Sequence, residues 1–275
     1  MIYDRVNKMN VSIKGNLSYD ILVVDSSGKM FEFDRNGNVI SEIPTRGAAF
    51  EIWKIGGNYL YPHLGNKGIS LVDKTGDVIK TYVSESEIFT CQPLDNGGAV
   101  VGELTQKRIV ELDSEFKISK IIPVKSEISG HEVMRMARKL KDGTYLVVHP
   151  GDCAIRQYDM DGNVVLEIPT YKNTFAAHLL DDGNVVYTSQ TAVVIADRTG
   201  NTVWKADSED LEETAPQWLT GLEILDNGNF LVCNWLGHNR EGMGAPLFEI
   251  DRNKNIIWSL RAPEILKNSA NIKAL

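Results

Sequence analysis

Short apolar runs separated by polar turns recur along the whole chain. Tyr145-Leu-Val-Val, Val185-Val-Tyr-Thr, Ala192-Val-Val-Ile and Phe230-Leu-Val are examples. Each is β-branched or aromatic and too short for a helix, so the runs predict strands. Only residues 210–213 and 263–267 leave room for a helical turn.

Two kinds of turn alternate between the runs. One has the form Asp-x-x-Gly-Asn and begins, intact or degraded, at Asp34, Asp73, Asp113, Asp159, Asp197 and Asp251. The carboxylate can accept backbone amides ahead of it, and Gly supplies the positive φ of a tight hairpin. Asp159-Met-Asp-Gly-Asn looks like half a calcium loop, but the closing Glu of such loops is missing. Hairpin geometry is therefore the reading for all six. The second turn comes earlier in each unit, at Ile55-Gly-Gly-Asn, Leu94-Asp-Asn-Gly, Leu140-Lys-Asp-Gly, Leu180-Asp-Asp-Gly and Leu225-Asp-Asn-Gly.

Successive turn aspartates lie 39, 40, 46, 38 and 54 residues apart. Each unit then holds strands A to D, with tight A–B and C–D turns, which is the sequence signature of a propeller blade. The expected fold is all-β: a six-bladed β-propeller of four-stranded antiparallel blades over residues 18–275. Residues 1–17 form an N-terminal arm outside the blades. The first unit has B, C and D strands at 21–24, 30–33 and 39–43. Its A strand is 271–275 or 10–14. The C-terminal segment is preferred, because pairing the two ends keeps the ring from opening at one seam.

The A–B and C–D turns share one face and are uniform. The B–C loops and D–A connections form the other face and are irregular, and function usually sits on such variable loops. His63, His131, His149 and His238 fall there, whereas His178 falls within an A strand and reads as a core or channel-lining residue. The densest segment is Asn234-Trp235-Leu-Gly-His238, followed by Asn-Arg-Glu-Gly-Met-Gly. Trp235 offers a flat apolar face and His238 a polar contact, which suits a small polar ligand such as a sugar ring. Arg46 and Arg135 can clamp an anionic group, and Trp218 can line the mouth or pack between blades. The expected ligand-binding set is therefore His63, Glu103, His131, Arg135, His149, Asn234, Trp235 and His238, with Arg46 and Trp218. The imidazoles, with Glu103 nearby, can hold a divalent metal, for which His63, His149 and His238 are the candidate ligands. They equally suit a general base or nucleophile, with His238, His131 and His149 as candidates.

Composition narrows the partners. The 275 residues are 43% hydrophobic and 24% charged, an ordinary soluble composition, with a net charge of −8. An acidic chain without a basic run is a poor match for nucleic acid. No run reaches the length of a membrane span. The first residues show no apolar signal region, so a cytoplasmic chain and an exported one with its leader removed both stay open. Cys91, Cys153 and Cys233 have no CxxC spacing and read as free thiols.

Two units, Ala196-Asp-Arg-Thr-Gly-Asn-Thr-Val-Trp204 and Ile250-Asp-Arg-Asn-Lys-Asn-Ile-Ile-Trp258, resemble the repeats of quinoprotein-dehydrogenase-like propellers. The resemblance implies a Trp that docks onto the neighbouring blade. It covers about residues 18–275 and supports the fold. The turn here is one residue shorter than in those repeats, and the other units carry Ser41, Lys80, Lys120 and Leu166 in place of Trp. Quinone-binding members have more blades, and some have vicinal cysteines. The resemblance therefore argues against bound pyrroloquinoline quinone. The segment 234–238 is also similar to a loop of uncharacterised bacterial propellers. Three functions stay open: binding or processing of a small polar ligand, carbohydrate included; a metal- or histidine-dependent lyase, hydrolase or transferase; and a protein-interaction scaffold.

Overall fold

A computed structural model describes residues 10–275; the first nine residues of the expected arm lie outside the described part. The strands, in chain order, begin with β1 (Ser12–Gly15), followed by β2 (Ile21–Asp25), β3 (Lys29–Phe33) and β4 (Val39–Pro44) of blade 1. Blade 2 is β5 (Trp53–Ile55), β6 (Asn58–His63), β7 (Gly68–Val72) and β8 (Val78–Val83). Blade 3 is β9 (Cys91–Pro93), β10 (Ala99–Glu103), β11 (Arg108–Leu112) and β12 (Ile118–Pro123). Blade 4 is β13 (Met136–Lys139), β14 (Tyr145–His149), β15 (Ala154–Tyr158) and β16 (Val164–Pro169). Blade 5 is β17 (Ala177–Leu179), β18 (Val185–Thr188), β19 (Val193–Ala196) and β20 (Thr202–Ala206). Blade 6 is β21 (Trp218–Ile224), β22 (Phe230–Trp235), β23 (Leu247–Ile250) and β24 (Ile256–Arg261), and β25 (Ser269–Ala274) ends the chain.

These strands form six antiparallel sheets, a six-bladed β-propeller with almost no helix. β25 is the A strand of blade 1 and pairs with β2, Val23 opposite Ile272. The N-terminal segment that could have filled that place lies elsewhere: β1 is a fifth strand on blade 6, with Ser12 opposite Arg261. The ring is thus tied at both ends of the chain. Of the two possible helical turns, a short 3-10 turn forms at Glu212–Thr214 and 263–267 forms only a turn. No described helix is long and apolar enough to cross a membrane.

The B and C strands are buried on both faces, so they read as continuous apolar runs, whereas the D strands alternate. Apolar clusters fill the gaps between blades. A repeated polar pair also crosses these gaps. Tyr59 Oη donates to Glu32 at 2.8 Å, Tyr19 Oη to Glu249 at 2.7 Å, and Tyr145 Oη to Glu111. The turn aspartates do hairpin work. Asp159 Oδ1 accepts the amides of Asp161 and Asn163 at 2.9 and 2.8 Å, and its Oδ2 accepts the Asn163 side chain. In the two degraded turns, Phe116 (φ 58) and Lys254 (φ 69) occupy the left-handed position that Gly fills elsewhere, at some steric cost.

Candidate functional site

A cavity of about 380 Å³ opens among the B–C loops and D–A connections. Its floor is a ring of six equivalent positions, one per blade: Ala270, Phe50, Phe89, Arg135, Phe175 and Thr220. Each lies five residues before the Leu or Ile at, or immediately after, the end of its A strand (Leu275, Ile55, Leu94, Leu140, Leu180 and Leu225). Three positions are phenylalanine and one is arginine, so the floor is apolar with a single cation.

Arg135 is the chemical centre of this floor. Its guanidinium carbon lies 4.3 Å from the Phe89 ring centroid and 5.4 Å from that of Phe175. The flat cation is therefore flanked by aromatic faces. Among the described residues it has no ion pair, and its buried Nε has no hydrogen-bond partner. Burial pulls its pKa down to about 10, against the weak opposing pull of Glu132 and Glu87, so the group stays charged near neutral pH.

The walls carry the imidazoles. His131 Nε2 lies 3.1 Å from Glu87 Oε2, and its ring stands edge-on to Phe89 at 5.0 Å. Across the mouth, His238 stands edge-on to Trp235 at 5.4 Å, and Trp235 lies 6.3 Å from Trp218. Trp235 is fixed by an Nε1 donation to Asn268 at 3.0 Å. Trp218 meets Phe175 edge-on at 6.0 Å, so it is a wall of the cavity.

His131, Arg135, Trp218, Trp235 and His238 thus meet at one cavity. The rest of the expected set does not line it. His63 and His149 end B strands rather than lying free in loops, and both rings are buried. His63 Nε2 bonds Ser70 Oγ at 3.0 Å, and burial, followed by the charge of Arg46, lowers its pKa. His149 Nδ1 donates to Val133 O at 2.5 Å while Nε2 accepts from Tyr158 Oη at 2.9 Å. Burial holds its pKa at about 4. Glu103 is fully buried, bonded to Tyr82 and Ser84 and paired with Arg108 at 2.5 Å. Its pKa lies below the usual carboxylate range: burial alone would raise it, and these bonds outweigh burial. Asn234 orders its own loop, accepting from Gln217 N at 2.9 Å and donating to Ala245 O at 3.1 Å. Arg46 is exposed on the rim and is not among the cavity lining. The candidate metal ligands His63, His149 and His238 are therefore not brought to one point. No group of three or more His, Cys, Asp or Glu side chains among the described residues is placed to hold a metal.

The floor phenylalanines and the Glu87 partner of His131 were not among the expected site residues. The signal for the floor was present as a fixed offset from the end of each A strand.

The sequence matches no family model and no curated protein. Solved structures match the fold. A protein of unknown function from Bacteroides caccae has a TM-score of 0.82 at 21% identity, over 94% of this chain and 99% of its own. Virginiamycin B lyase from Staphylococcus aureus has a TM-score of 0.60 at 12% identity, over 91% of this chain and 88% of its own. A streptogramin B lyase has a TM-score of 0.61 at 15% identity, over 90% and 87% respectively. At these identities the likeness shows that this chain shares their propeller fold.

Proposed function

We propose that the chain binds a small molecule carrying a carboxylate on a flat, apolar-faced body, an acidic sugar or an aromatic acid, at the mouth of the propeller. The observation that carries this reading is Arg135, a cation without an ion-pair partner among the described residues, set between Phe89 and Phe175 on the cavity floor. Such a cation discriminates strongly for an anion, because pairing there takes place away from bulk water. Trp218 and Trp235 supply the flat walls, and His131 and His238 supply polar contacts at the rim. A sugar acid uses all three surfaces.

The quinoprotein-like repeat resemblance is supported by Trp204, whose Nε1 donates to Arg252 O at 2.9 Å across the gap to the next blade. Nothing in that docking contact calls for a quinone at the mouth.

A second reading rests on the His131–Glu87 pair. A carboxylate orienting an imidazole at a cavity wall is the arrangement of a general base, so a histidine-dependent reaction on the same bound carboxylate fits the site. The fold of the lyases is compatible with that reading and adds nothing residue-specific to it.

The test is calorimetric titration of uronic acids and aromatic carboxylates, each beside its neutral amide or alcohol. Binding of acids over their neutral partners, weakened about tenfold to a hundredfold in Arg135→Gln, is the expected result, matching ~1.5–3 kcal/mol for a hydrogen bond to a charged group. Equal binding of neutral partners, or an unaffected Arg135→Gln, sinks the reading. If no small molecule binds, the scaffold alternative takes its place.

A further inference from the structure

Below the mouth, the six A strands present a second set of equivalent positions, two residues before the same Leu or Ile: Lys273, Trp53, Gln92, Arg138, His178 and Glu223. Four of these side chains reach the A strand of the following blade. Trp53 Nε1 donates to Cys91 O at 2.7 Å, and Gln92 Oε1 accepts from Lys139 N at 2.7 Å. His178 Nε2 donates to Leu222 O at 2.9 Å, and Glu223 Oε2 accepts from Ala274 N at 2.8 Å. Arg138 instead turns across the channel to pair with Glu51 and to donate to Thr90 Oγ1 at 3.0 Å.

Lys273 breaks the pattern. It is only 7% exposed, and its Nζ sits 4.1 Å from the Trp53 ring centroid. Among the described residues it has neither a hydrogen bond nor an ion pair. The other nearby cation, Arg138, is neutralised by Glu51. Glu223 is close enough to favour the ammonium but not close enough to bond it.

Two buried polar atoms near Lys273 also lack partners: Asn271 Oδ1, two residues along β25, and Nε of Arg138, whose charge bears on the ammonium. Buried polar groups are normally satisfied, and each exception calls for an explanation. The Arg138 Nε–H can donate, as can the ammonium. A guest that accepts hydrogen bonds and carries negative charge answers both of these donors, whereas a cation answers only Asn271.

We propose that the channel below the mouth is a second binding site, for a small monoanion of halide or formate size held by the Lys273 ammonium beside the Trp53 ring. The site is distinct from the mouth cavity. Ala270 of the mouth floor is three residues up the same strand, roughly 10 Å away at ~3.3 Å per residue. In the absence of an anion, burial pulls the Lys273 pKa down to about 8, as expected for an ammonium short of compensating charge. A bound anion reverses part of that shift.

The test compares thermal unfolding in sodium methanesulfonate, chloride and bromide at equal ionic strength, methanesulfonate being larger than a halide or formate and neither a sugar acid nor an aromatic acid. A ligand that binds the folded state alone raises its stability in a saturable way. Wild type is expected to gain a few degrees in chloride and bromide over methanesulfonate. Arg135→Gln, altered only at the mouth, should gain as much. Lys273→Met should gain nothing, and in methanesulfonate it should be at least as stable as wild type, because an uncompensated buried charge is gone. A wild type indifferent to the anion, or a Lys273→Met response equal to wild type, overturns the proposal. If Lys273→Met does not fold, crystals of wild type grown in bromide decide the matter. An anomalous peak in contact with Lys273 Nζ is expected, and its absence counts against the site.

Discussion

The Phe89 ring touches two side chains of the candidate site at once, with the Arg135 guanidinium carbon 4.3 Å from its centroid and the His131 ring 5.0 Å away. One aromatic side chain therefore sets both the floor cation and the wall imidazole. Phe89 is 3% exposed and leans on Phe50 at 4.8 Å, so its position is fixed by packing.

Phe89→Leu keeps most of the buried volume and removes the aromatic face. The expected stability loss is small, below ~1.5 kcal/mol for a near-isosteric core change. Carboxylate affinity should fall about five- to thirtyfold, the equivalent of ~1–2 kcal/mol of desolvated cation–π contact. Titration calorimetry beside a urea melt separates the two. Unchanged affinity with lowered stability would show that Phe89 only packs.

The blades were legible because the sequence repeats them: Asp-turn and Leu-turn spacing fixes strand number, and B and C strands buried on both sides are short apolar runs. The face of the site was legible for the same reason. Which histidines belong to the site was not. His63 and His149 differ from His131 by lying at the last residue of a B strand, where the ring turns inward, and strand ends are poorly fixed by pattern alone. Asn234 misled similarly, since an amide in a Gly-rich loop serves that loop's own carbonyls as readily as a ligand. The floor ring was readable in principle: counting five residues back from Ile55, Leu94, Leu140, Leu180, Leu225 and Leu275 gives all six members. Four of its members, Phe50, Phe89, Arg135 and Phe175, lie just before a strand, where residues carry no periodicity.

Acid should destabilise the fold through its buried histidines. His149 is neutral in the folded state, with its pKa held at about 4 by burial, against ~6.5 in the unfolded chain. The folded pKa is the lower one, so the stabilisation is complete above ~6.5 and is lost as pH falls toward 4. The loss is about 2 kcal/mol by pH 5. His178, also near 4, adds a parallel loss. His149→Gln should be less stable than wild type at pH 7 yet show a flatter decline between pH 7 and 5 in urea melts. Parallel declines would mean that His149 titrates normally.

Glycine to alanine changes should separate backbone conformation from close approach. Gly162 (φ +82) and Gly183 (φ +85) both sit in the left-handed region, which costs an L-residue about 1–2 kcal/mol. A Cβ at Gly183 meets nothing within 4 Å, whereas one at Gly162 would lie 2.6 Å from Pro123 O. Pro123 ends the D strand of blade 3, so this C–D turn packs directly on the neighbouring blade. Gly183→Ala should cost about 1 kcal/mol, and Gly162→Ala at least ~1 kcal/mol more, within the usual range for overpacking. Equal urea midpoints would place the Gly162 turn farther from blade 3.

The Glu51–Arg138 pair spans the channel from blade 2 to blade 4, and both members are buried, 3% and 9% exposed. Glu51 Oε2 also accepts the Cys91 amide at 2.9 Å, and Arg138 Nη1 donates to Thr90 Oγ1 at 3.0 Å and to Ala137 O at 2.9 Å. Three A-strand segments, of blades 2, 3 and 4, are thus joined by two side chains. Removing one partner leaves a buried charge, so Arg138→Met should cost ~3–5 kcal/mol. Glu51→Gln keeps an acceptor for Cys91 and leaves the guanidinium hydrogen-bonded but uncompensated, which should cost somewhat less. In the double variant neither charge remains, and a well-packed apolar replacement for an ion pair is often neutral. The double variant should therefore be more stable than Arg138→Met alone, with a coupling within the ~0.5–3 kcal/mol found for interacting neighbours. Additive losses in the double-mutant cycle would show that the two side chains act through their separate backbone bonds rather than through each other.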